Sequence, residues 1–128
     1  MRINRERIPA EIDVPGALAR QQAGFGDASG CGDMGAEFFT LGAGTDIAPL
    51  LKGLKDNCCQ SPHWGYMIGG EVEVSYSDGS KDVCVEKDLF YRPPGHSVRV
   101  VRDAEIALFS PARQHTHAME HMLEAMKG

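Results

Sequence analysis

Between Ser61 and Pro111 the chain is a series of short apolar runs, alternating with polar residues at a period of two and each cut off by turn-forming residues. No other feature narrows the possible folds so far. Residues 63–68 and 71–76 read as strands separated by Gly69-Gly70. Asp78-Gly79 is a hairpin signal leading into "KDVCVE". "DLFYR" then runs into "PPGH", where proline fixes φ and glycine admits angles closed to other residues. "SVRVV" and "AEIALF" complete the series, with Asp103 near the bend between them. Earlier in the chain, "AEFFTLGA" (36–43) suits a strand, and "TDIAPLLKGLK" offers a cap at Thr45 or Asp46 and an early Pro49, so it suits a short helical turn.

After Pro111 the period changes. Met119, Met122, Leu123 and Met126 fall at helical spacing and make an apolar stripe. Residues 1–34, with "QQAGFGDASGCGDMG", sustain neither period and read as an irregular arm. The expectation is one all-β domain, a small barrel or sandwich over 35–112, preceded by an arm over 1–34 and closed by a helix over 113–128. A chain of 128 residues can build its own core without disulfides. Its net charge of −5 argues against a nucleic-acid or anionic-membrane partner. No apolar run approaches the roughly 20 residues of a membrane span, and the charged, Pro-containing start does not read as a secretory signal. A cytoplasmic setting follows as an expectation. The four cysteines, at 31, 58, 59 and 84, are irregularly spaced and read as thiols or ligands.

"CCQSPHWGYMIGGEVEV" carries the most chemistry. Strand parity puts His63, Gly65 and Met67 on one face and Trp64, Tyr66 and Ile68 on the other. Both faces carry large apolar groups, so one suits the interior and the other needs cover from the arm or a second subunit. If the backbone stays extended through Pro62, Cys59 shares the His63 face, and thiolate with imidazole suits Zn, Fe or Cu rather than Ca or Mg. The plainer alternative is a small buried Cys59 and a His63 hydrogen-bonded to backbone. His96 follows the Pro-Pro-Gly turn and can face His63 across a barrel, or can simply cap the turn. Tyr91, if it faces inward, can orient a substrate, with Arg92 then facing away. His117 and His121 stand four apart on the expected helix, a chelating spacing, but nearly opposite the methionine stripe, where a solvated face is the simpler reading. His115 lies nearer the stripe and can help dock the helix. Cys31 has no positive reason for a role.

The "PHWGY" strand and the "PPGH" turn resemble the small single-domain cupins. Gly70 matches the glycine that closes the first cupin motif. Counting back, His63 takes the place of that motif's metal-binding glutamate, Cys59 that of its second histidine and Asn57 that of its first. Pro93 and Gly95 match the second motif, whose final histidine is replaced by Val98, with His96 two residues earlier on the same parity. The resemblance covers roughly residues 36–111. It implies a cupin-type (jelly-roll) β-barrel and an altered ligand set, Cys59, His63 and His96, around a divalent transition metal (Zn, Fe, Ni or Cu). Met67, Tyr91 and Val98 would line a substrate pocket. The function expected on this basis is a metal-dependent enzyme, of oxygenase, isomerase or lyase type, acting on a small polar metabolite, and a homodimer. The alternative is a non-catalytic module that senses a small molecule or a metal. A metal-free barrel filled by Met67, Phe90 and Val98 is the third reading.

Overall fold

The computed structural model describes residues 3–25 and 32–128. Among the described residues seven strands, β1 (Ala10–Val14), β2 (Ala17–Gln22), β3 (Met34–Leu41), β4 (His63–Tyr76), β5 (Lys81–Val85), β6 (Leu89–Arg92) and β7 (His96–Pro111), precede one α-helix, α1 (Ala112–Lys127). Every strand pairing is antiparallel, in the order β1-β2-β3-β7-β4-β5, with β6 beside the N-terminal half of β4 on the same edge as β5. Short 3-10 turns at Ala48–Leu51 and Lys55–Asn57 carry the chain from β3 to β4, with Pro49 near the start of the first.

The structure differs from the sequence reading at the N terminus. The segment expected as an irregular arm contains the β1–β2 hairpin, and β2 pairs residue by residue with β3 from Ala17↔Leu41 to Gln22↔Ala36. Gly16, at φ 83°, makes the turn. Cys31 lies outside the described residues. The strands expected on either side of Gly69-Gly70 are one strand, as are those on either side of Asp103. The register between β4 and β7 shifts around Gly69-Gly70, so both strands bend there without ending. Gly70 sits at φ 87°, and a Cβ on it would overlap the Asp103 carbonyl, which explains the glycine.

Alternation along β4 and β7 builds the interior. Met67, Val72, Val74, Val100, Ile106 and Leu108 are essentially inaccessible, while Glu71 and Glu73 face outward to Arg102, Arg99 and Lys81. A second apolar cluster joins Ile12 and Ala19 of the hairpin to Leu51, Cys59 and the Ala118, Met119 and Met122 face of α1. Phe39 and Ile47 touch both clusters. The hairpin and the helix thus flank one end of the sheet and leave a cavity beneath them.

Candidate functional site

The cavity, of about 380 Å³, is walled by Ile12, Ala19, Leu50, Val98, Met119 and Met122. Exposed lining residues Val14, Pro15, Asp46, Pro49 and Met126 mark its mouth. Its floor is polar and buried: Cys59, His63, Arg92, His96 and His115 all line it.

Backbone hydrogen bonds place the first group. The Cys59 N–H donates to the His96 carbonyl at 2.8 Å, and the Gly95 N–H donates to the Cys59 carbonyl at 2.8 Å. The segment ahead of β4 is therefore tied to the Pro-Pro-Gly turn, and Cys59, His63 and His96 bring their donor atoms within 4.8 Å of one another. Cys59 Sγ lies 3.8 Å from His63 Nε2. Pro93 offers only a carbonyl, so His96 Nδ1–H donates to it at 2.7 Å and leaves the Nε2 lone pair free. His63 is held through Nδ1 by the Ser110 hydroxyl, a second partner of the kind that orients a ligating imidazole.

A second group lies on the other side of His63. Glu37 of β3 and His115 in the first turn of α1 also fall within 4.8 Å of it. The His63 ring stands edge-on between those of His96 and His115, at 5.0 and 5.1 Å. Glu37 shares its inward face with Phe39, whose ring stacks on His115. The His115 and Glu37 side chains are 3.4 Å apart, yet neither His115 nitrogen and neither Glu37 oxygen has a hydrogen-bond partner among the described residues. Buried polar atoms left so usually meet an ion or water.

Burial sets the charge state. It pushes the Glu37 carboxyl up to about 8, offset in part by the Ser110 hydroxyl, which lies near it but makes its well-aligned hydrogen bond to His63. It pulls His96 and His115 down to about 4, and His63 well below its usual value, with His115, His96 and Arg92 adding to the effect on His63. Burial also raises the Cys59 thiol. Near neutral pH the floor holds three neutral imidazoles and a thiol beside the Arg92 cation, and the Glu37 carboxyl next to His63 and His115 is protonated. Neutral imidazole is the form that binds metal, and the nitrogen, sulfur and oxygen donors suit a transition ion. The donor set fits one.

Arg92 and Tyr91 exchange the places expected of them. The register His63↔Arg92 sends Arg92 inward with His63, while Tyr91 is half-exposed on the outer face and stacks on Trp64 at 5.1 Å. Tyr91 therefore does not line the pocket. Arg92 is 3 % exposed, lies 4.3 Å over the Phe90 ring, and leaves Nε and Nη2 without a partner. Val98 lines the cavity, whereas Met67 is packed inside the sheet core and does not. His117 is exposed, and the Nε2–H of His121 donates to the Lys52 carbonyl at 2.9 Å, so that pair joins neither donor group. Glu37, Arg92 and the cavity role of His115 escaped the sequence reading. A charged residue at an inward position of an otherwise apolar strand was the signal available for the first two.

No family model matches the chain, and no curated protein matches it. Solved structures do. An RmlC-like cupin from Shewanella frigidimarina is 22% identical with a TM-score of 0.57, over 89% of this chain and 93% of that one. KdgF from Halomonas sp. is 21% identical with a TM-score of 0.56, over 84% and 92%. Ectoine synthase from P. lautus is 17% identical with a TM-score of 0.59, over 88% and 78%. At these identities the likeness is one of fold: the chain is a small cupin-type barrel with a closing helix, as the two motifs suggested.

Proposed function

We propose that this cupin-fold chain is a metal-dependent enzyme acting on a small molecule seated in the cavity, with Cys59, His63 and His96 as the metal ligands. The observation that carries the reading is the convergence of those three donors on the floor of a cavity of about 380 Å³, within the range of small-molecule sites. A divalent transition metal (Zn, Fe, Ni or Cu) bound there supplies a Lewis acid and lowers the pKa of bound water. The chain's own groups do the rest. His96 is fixed by Pro93 with its free nitrogen available, and His63 is oriented by Ser110. Glu37, whose carboxyl sits at about 8, holds a proton beside them that can move near neutral pH. The walls are mostly apolar, so the substrate is less polar than the sequence suggested, with its polar part directed at the floor.

Among the described residues no helix is long and apolar enough to cross a membrane, and Cys58, Cys59 and Cys84 are free thiols. A reducing cytoplasm suits such a site. A homodimer is also part of the reading. Trp64, Tyr66, Ile68, Leu89 and Tyr91 are exposed on adjoining strands, and a two-fold pairing would bury the same patch on both copies.

The test is metal analysis of the untagged protein against Cys59→Ser and His63→Ala. The reading expects one equivalent of metal in the wild type and its loss in both variants. No stoichiometric metal in any of the three would sink it. Metal kept in both but lost in a chain ending at Pro111 would move the site to α1.

A further inference from the structure

Arg92 is a buried cation with no carboxylate to meet it: no acidic side chain lies within ion-pair distance among the described residues, and Nε and Nη2 are unpartnered. The Phe90 ring supports one face of the guanidinium. Nε and Nη2 are adjacent donors of one planar fork, the geometry that matches the two oxygens of a carboxylate. Arg92 lines the same cavity floor as Cys59, His63 and His96, and it is the one lysine or arginine among the described residues that line the cavity. Above it the walls are Ile12, Ala19, Leu50, Met119 and Met122, with no charge until Asp46 at the mouth.

We infer that the cavity binds a monocarboxylate with an apolar body, its carboxylate paired with Arg92 on the floor and its aliphatic or aromatic part lying between the β1–β2 hairpin and α1. The inference rests on the cavity being a ligand site and not on the metal. A carboxylate there completes the hydrogen bonding of Arg92, and the apolar part replaces water along the walls. Asp46 at the mouth disfavours a second acidic group at the far end, which excludes dicarboxylates of full cavity length.

The experiment is thermal shift and calorimetric titration of the full chain with straight-chain carboxylates from butanoate to decanoate and with phenylpropanoate, against the matching primary amides. Binding should rise with apolar length until the cavity is filled, and the amides should bind at least tenfold more weakly. Arg92→Met, similar in length, should lose at least tenfold in carboxylate affinity while the ligand-free variant melts higher than wild type, because an unpaired buried charge has been removed. A purely structural Arg92 would lower the melting temperature instead. Arg92→Lys keeps the charge but not the fork and should fall between. Equal binding of acid and amide, unchanged affinity in Arg92→Met, or no binding across the series each overturns the inference. Repeating the titration on chelator-treated protein separates the two readings. Carboxylate binding that survives chelation supports the Arg92 seat whether or not metal is bound, and binding lost on chelation but unaffected by Arg92→Met overturns it in favour of the metal.

Discussion

The cavity moves Glu37 and its neighbouring histidines in opposite directions, and the balance between them shapes how stability depends on pH. In the metal-free state an unfolded chain takes up protons on His63, His96 and His115 from 6.5 downward, whereas the folded chain holds His96 and His115 neutral to about 4 and keeps His63 neutral well below its usual value. Stability from these groups is therefore gained as pH rises from about 4 to 6.5. Glu37 acts the other way: the unfolded carboxyl ionises from 4.5 and the folded one only near 8, so its contribution is lost as pH rises between those values. Three groups outweigh one below 6.5, and Glu37 acts alone above it. Thermal unfolding of chelator-treated protein should show a maximum near pH 6.5, and Glu37→Gln should abolish the decline toward pH 8. A flat profile from pH 5 to 8 would contradict these protonation states. Cys59, His63 and His96 were found as candidates because short spacings and a turn flag them, whereas Glu37 and His115 meet only through the packing of α1 on β3, which no local pattern encodes.

At the scale of the element, the bend in β4 rests on one residue of a pair. Gly70 has φ 87° and no room for a Cβ against Asp103, while Gly69 has open space around it and no positive φ. Gly70→Ala should cost about 2 kcal/mol or more in denaturant unfolding, and Gly69→Ala should be neutral or slightly stabilising. Equal costs would remove the bend from Gly70. The strands of the barrel were legible because their faces differ: Val72 and Val74 inward, Glu71 and Glu73 outward. The β1–β2 hairpin was not, because Ala17, Arg20 and Gln21 give its second strand no clean alternation, although Pro15-Gly16 was a turn signal in plain sight. β6 was read with its parity reversed. An aromatic was expected inside and an arginine outside, and pairing with β4 enforces the opposite.

For the whole molecule, the question the sequence leaves open is what covers Trp64, Tyr66 and Ile68, and the described part of the N-terminal segment does not bury them: they are 46%, 40% and 42% exposed. With Leu89, Tyr91 and Phe109 they form an apolar outer face larger in character than scattered surface hydrophobics. Sedimentation velocity should give twice the chain mass for the wild type and a single chain mass for Trp64→Glu, with the far-ultraviolet circular dichroism unchanged. A monomeric wild type would end the dimer reading. The tie between Cys59 and the Pro-Pro-Gly turn has a different reach. Because two main-chain hydrogen bonds, Cys59 N–H to His96 carbonyl and Gly95 N–H to Cys59 carbonyl, fix where positions 59 and 96 stand, the side chains there are interchangeable fittings on a fixed mount. On the proposed metal reading, exchanging thiol for imidazole or carboxylate at either position would change the ion preferred without rebuilding the barrel that holds it.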